Sequence, residues 1–79
     1  MNYFTVQLNK LNVKLVKGKE ERGLQVDIPE GTRLSGLFAQ LNLPVSVSNM
    51  VTVDGRLAEE NSPLTDGASV LVLPYAGGG

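Results

Sequence analysis

Apolar and polar residues alternate over residues 4–8, where Phe4, Val6 and Leu8 share a face, and again over 11–15, where Leu11, Val13 and Leu15 do. The parity flips across Asn9 and Lys10. Side chains on a strand repeat every two residues, so the flip predicts a bulge, a turn or an extra strand between the two stretches. The polar run KGKEERG, residues 17–23, reads as a hairpin connection with Gly18 and Gly23. Beyond it Leu24, Val26 and Ile28 alternate cleanly and predict a second strand.

The period then changes. Pro29 to Thr32 ends the strand, with Thr32 placed as a helix N-cap but no Glu or Gln three residues on to complete a capping box. Leu34, Leu37, Phe38 and Leu41 fall at i, i+3, i+4 and i+7, one stripe of an amphipathic helix. Gly36 inside that helix costs up to about 1 kcal/mol against alanine, so packing has to hold it. Asn42 and Pro44 stop the helix. Val51 and Val53 lead into Asp54-Gly55 and out to Leu57, a strong hairpin signal. Residues 61–67, NSPLTDG, are turn chemistry throughout. The run VLVLPY closes the pattern with four consecutive aliphatics, as in a strand buried on both faces or one whose open face meets a partner. One parity, Val70/Val72 or Leu71/Leu73, belongs under the helix and the other on the helix-free face; the pattern leaves both open. The order predicts an α+β fold: a mixed sheet with one main helix across one face.

Composition narrows the chemistry. Seventy-nine residues make one small domain. The 42% hydrophobic and 19% charged content is that of a globular chain. A net charge of −1 argues against nucleic-acid binding, and Glu20 and Glu21 interrupt the basic residues Lys14, Lys17, Lys19 and Arg22. No cysteine or histidine is present, which removes thiolate nucleophiles, iron–sulfur ligation, the usual zinc sites and the ordinary general base. The acidic residues show no calcium-loop spacing. No window approaches the length of an apolar membrane span, so the expectation is a soluble cytoplasmic protein, without a membrane, a bound metal or a catalytic site of its own.

The later residues resemble a known family. The elements in this order look like the β-grasp fold of ubiquitin and its relatives. SPLTDGASVLVLPYAGGG, residues 62–79, resembles the C-terminal signature of the sulfur-carrier proteins, that is, the small subunit of molybdopterin synthase and the thiamine-pathway sulfur carrier. Leu64, Asp66-Gly67, the strand Val70 to Leu73, Pro74 and the closing Gly78-Gly79 match it. VDGRL, residues 53–57, resembles the family's Val-Asn-Gly turn, and residues 28–41 resemble its strand-to-helix transition. Ala68 stands where the family often has a second acidic residue, and Gly77 adds a third glycine ahead of the pair.

The resemblance implies a β-grasp domain over residues 1–74 and a flexible glycine-rich tail over 75–79. It implies a carrier rather than an enzyme. The Gly79 carboxylate would be adenylated by a ubiquitin-activating-type adenylyltransferase using ATP. Sulfur from a sulfurtransferase or cysteine desulfurase would make it a thiocarboxylate, handed to a sulfur-accepting synthase subunit in molybdopterin, thiamine or related biosynthesis. Such a donor needs no cysteine and no bound cofactor. Gly77 and Gly78 would thread the tail through a narrow active site, since glycine has no Cβ to clash there. Leu71, Leu73, Pro74, Tyr75 and Arg56 are the candidate docking residues. The alternatives are a modifier conjugated to lysines through Gly79 and a non-catalytic β-grasp adaptor.

Overall fold

The computed structural model describes residues 7–43 and 49–74. Strands β1 (Leu8–Lys17) and β2 (Glu20–Pro29) are followed by helix α1 (Leu34–Gln40), then β3 (Asn49–Val53), β4 (Arg56–Leu57) and β5 (Ser69–Pro74). They form one five-stranded sheet in the order β2-β1-β5-β3-β4. β5 runs parallel to β1 and antiparallel to β3. The last of the described strands therefore lies in the middle of the sheet.

Helix α1 covers one face. Its Leu34, Leu37 and Phe38 pack with Leu11 and Val13 of β1, Val26 and Ile28 of β2, Val51 of β3, and Val70 and Val72 of β5. Leu41, expected in the helical stripe, is the C-cap and only half-buried. The helix stops there because Asn42 turns left-handed at φ 57°. Its N–H donates to the Ala39 carbonyl and that of Leu43 to the Phe38 carbonyl, the paired bonds of a Schellman ending. Pro44 lies outside the described residues.

Three local expectations are corrected. β1 runs unbroken through Asn9 and Lys10, paired with β2 from Leu8 opposite Pro29 to Lys17 opposite Glu20 without a bulge. Leu8 accordingly points to the helix-free face, 57% exposed; Phe4 and Val6 lie outside the described residues. The β1–β2 connection is also tighter than KGKEERG suggested. Only Gly18 and Lys19 form the loop, with Gly18 at φ +62° as the first position of a type II′ turn requires. Gly23 is thereby within β2. Thirdly, Arg33, not Thr32, is the N-cap, and no side chain caps the helix. Thr32 instead bonds Pro29: its hydroxyl donates to the Pro29 carbonyl at 2.6 Å. The first helical N–H groups of Leu34 and Ser35 donate to the carbonyls of Ser62 and Glu60. The loop after β4 thus does the work of a capping side chain.

Gly36 is explained by the same contact. A Cβ there would lie 2.9 Å from Thr32 Cγ2, and the Thr32 hydroxyl bond resists the rotation that would relieve it.

Candidate functional site

The resemblance implies a reactive tail after β5, so the anchoring of that strand bears on the site. Two Asp-Gly pairs hold its entry. Asp54 (φ 52°) and Gly55 (φ 84°) form a left-handed two-residue turn joining β3 to β4, the geometry that Asp-Gly favours. Asp54 also reaches β5: its N–H donates to the Ser69 carbonyl at 2.8 Å, and its Oδ1 accepts from the Ser69 N–H at 2.9 Å. On the other side, Asp66 Oδ1 accepts from the Lys10 N–H at 2.7 Å. The Gly67 N–H, at φ +82°, then donates to the Lys10 carbonyl, and the Asn12 N–H to the Ala68 carbonyl. A side-chain carboxylate here continues the backbone ladder between β1 and β5. Leu64, 3% exposed, pins the preceding turn into the core.

Sequence reasoning found both pairs as turn formers but missed their second role. The available signal was the position of each aspartate just before a glycine that takes positive φ, one flanking the hairpin and one preceding the final strand. Ala68, where an acidic residue had been the family expectation, is 2% exposed in the core. Asp66→Ala is expected to lower stability by about 1 kcal/mol, which is about 4–8 °C in the thermal midpoint of a domain this small. Asp66→Asn keeps an oxygen acceptor and should lose less than half of that, read by circular dichroism melts of the two variants.

The parity of β5 is resolved. Val70 and Val72 are buried at 2% and 6% beneath the helix, so Leu71 and Leu73 point to the helix-free face, each half-buried. The register gathers apolar neighbours around them. Leu71 lies opposite Thr52, which lies opposite Leu57, and Leu73 lies opposite Met50. Leu57 and Met50 are 75% and 43% exposed. Arg56 does not join this face, because it pairs with the inward Val53; it is exposed on the helix side. Pro74 is the last residue of β5. Tyr75, Gly77, Gly78 and Gly79 lie outside the described residues.

Among the described residues no group of three or more carboxylates is placed to hold a metal ion, and no helix is long and apolar enough to cross a membrane.

A family model described as the ThiS family matches residues 6–79. The chain belongs to the ThiS family. The match runs through the anchored β5 and includes the glycine pair at its end. The sheet with a single crossing helix is a ubiquitin-like β-grasp, and solved structures share it. The crystal structure of SAMP1 from Haloferax volcanii superposes with a TM-score of 0.74 at 15% identity, over 90% of this chain and 100% of that one. The solution structure of the C-terminal ubiquitin-like domain of mouse tubulin-specific chaperone e gives 0.63 at 20% identity, over 98% and 96%. No curated protein matches significantly. At these identities the neighbours speak for the fold. The family match makes this ThiS-family chain a protein of the sulfur-carrier, ubiquitin-like kind.

Proposed function

We propose that the chain is a sulfur carrier whose reactive group is the Gly79 carboxylate. The observation that carries the reading is the family match over residues 6–79, which includes the diglycine. An α-carboxyl group is ionised at neutral pH and is a poor electrophile. A partner adenylyltransferase therefore transfers AMP from ATP to it, releasing pyrophosphate. Sulfide then displaces AMP, or a partner's persulfide does so and a thiol cleaves the resulting acyl disulfide. Either route leaves a thiocarboxylate. The carrier contributes no general base and no bound cofactor; ATP belongs to the activating partner. The helix-free face around Leu71 and Leu73 is the docking surface for the activating enzyme and the synthase subunit, since contiguous exposed apolar area of this kind marks a partner site. We place this chemistry in the cytoplasm.

Intact-mass measurement of the protein purified from its host tests the reading. The expected species is one in which a sulfur replaces an oxygen. Covalent adducts of much higher mass would instead favour conjugation to lysines through Gly79. A carboxylate unchanged after incubation with the candidate activating enzyme, ATP and a sulfur source would favour an inert adaptor.

A further inference from the structure

Gly23 lies within β2, and nothing among the described residues calls for a glycine there. Its φ lies outside the left-handed region, and a Cβ built on it meets no atom within 4 Å. Glycine inside a strand weakens it, and one that neither turns the chain nor relieves a clash points to something approaching from outside. Two features of the surroundings say what approaches.

The first is the edge. β2 is the outer strand and pairs only with β1 among the described residues. The two-residue loop makes Lys17 and Glu20 a hydrogen-bonded pair. Alternation from there turns the backbone groups of Glu20, Arg22, Leu24, Val26 and Ile28 toward β1. Those of Glu21, Gly23, Gln25 and Asp27 point outward. The far end is already closed, because Gln40 Nε2 donates to the Asp27 carbonyl at 3.1 Å and Pro29 has no N–H. Residues 21–25 remain as an open ladder.

The second is the surface beside it. Gly23 lies opposite Lys14, and Lys14 opposite Leu71, on the helix-free face. A depression of about 520 Å³ runs across that face, lined by Gly23, Lys14, Leu71, Ser69, Thr52 and Gly55 among others. It opens toward the edge because Gly23 has no side chain to wall it off.

We propose that this edge binds an extended peptide strand carrying a large aromatic side chain opposite Gly23. The peptide backbone completes the ladder, and the aromatic ring folds over the glycine into the depression, the arrangement by which aromatics rescue strand glycines. In the antiparallel orientation the residue two positions after the aromatic faces Glu21. That carboxylate has Lys14 Nζ 3.9 Å away in a solvent-exposed pair and can take a second cation, so a lysine fits there. The residue just before the aromatic packs beside the half-buried Leu24. A second copy of β2 is a poor occupant. Two-fold pairing centred on Gly23 sets glycine against glycine, and pairing centred on Leu24 sets Glu21 against Asp27 twice. β2 itself, EERGLQVDIP, carries no aromatic residue for the depression. This inference is independent of the tail chemistry.

The test titrates the acetylated amide peptide Thr-Val-Phe-Val-Lys into the full chain and follows backbone amide shifts by NMR. Shifts are expected at Glu21, Gly23 and Gln25 and at Lys14 and Leu71. The peptide with glycine in place of phenylalanine should bind at least about 10-fold more weakly, the loss expected for one desolvated aromatic anchor. Gly23→Val should weaken binding of the phenylalanine peptide comparably, while melting no lower than the parent. Equal affinity for both peptides, unchanged affinity of Gly23→Val, shifts confined to other residues or no shifts at all would each overturn the proposal. A lower melting point of Gly23→Val would too, by showing that the fold itself needs the glycine. Concentration-dependent shifts of residues 21–25 without peptide would replace the peptide with a second copy of the chain.

Discussion

Val70→Asp is expected to abolish folding, while Leu71→Asp, one residue away, leaves a folded domain. Val70 is 2% exposed in the central strand, between Val13 of β1 and Val53 of β3 and beneath the helix. No buried polar or charged side chain exists among the described residues to receive a carboxylate there. An unpaired buried acid either ionises at a cost of several kcal/mol or stays protonated with its polar atoms unsatisfied. A domain of this size typically has only about 3–5 kcal/mol to lose. Leu71 faces away from that core, opposite Lys14 and Thr52. An aspartate at this position keeps its hydration, meets a lysine and forfeits part of one side chain's burial, about 1 kcal/mol. Dispersed amide spectra and cooperative melting for Leu71→Asp, against neither for Val70→Asp, are the expected results. The opposite pattern would reverse the assigned face of β5.

The helix and both Asp-Gly turns were legible in the sequence because local rules fix them. The i, i+3, i+4 stripe needs one partner surface, and Asp-Gly needs only its own backbone. The parity of β5 was not legible, since four successive aliphatics look alike from either side. What decides it is the register with β1, through Val13 opposite Val70, a contact between residues distant in sequence. The misread start of β1 has a similar cause. Leu8 obeys alternation but sits on the outer face, where an exposed leucine costs the fold little. The N-cap failed for a different reason: the helix borrows its acceptors from Glu60 and Ser62, and a tertiary cap leaves no trace in the four residues before a helix. At the candidate site, the closing signature carried the family; the reactive end that the resemblance implies, Gly79, lies outside the described residues. The carboxylate ladder of Asp54 and Asp66 and the unforced Gly23 became visible only once the strands were side by side.

Gly79→Val is expected to leave the domain as stable as the parent and to slow formation of the proposed thiocarboxylate by about 100-fold or more, the penalty typical of misplacing a reacting group by about 1 Å. Stability should not change because every buried residue described lies between Leu11 and Val72, so the substitution removes nothing from the core. Loading should change because a carboxylate oxygen has to attack the α-phosphorus of ATP within the partner, and the carboxyl carbon must then be open to the sulfur that displaces AMP. A β-branched side chain on the same residue narrows its backbone freedom and adds bulk beside the reacting carbon. Gly78→Val should behave similarly, since it passes through the same confined space. Gly77→Ala, one residue ahead of the pair, should keep most of the activity. Mass spectra after timed incubation with the activating enzyme, ATP and sulfide separate these expectations. Full loading of Gly79→Val would remove the terminal glycine from the mechanism. A loss at Gly77 as deep as that at Gly79 would mean that the partner reads three glycines and not two.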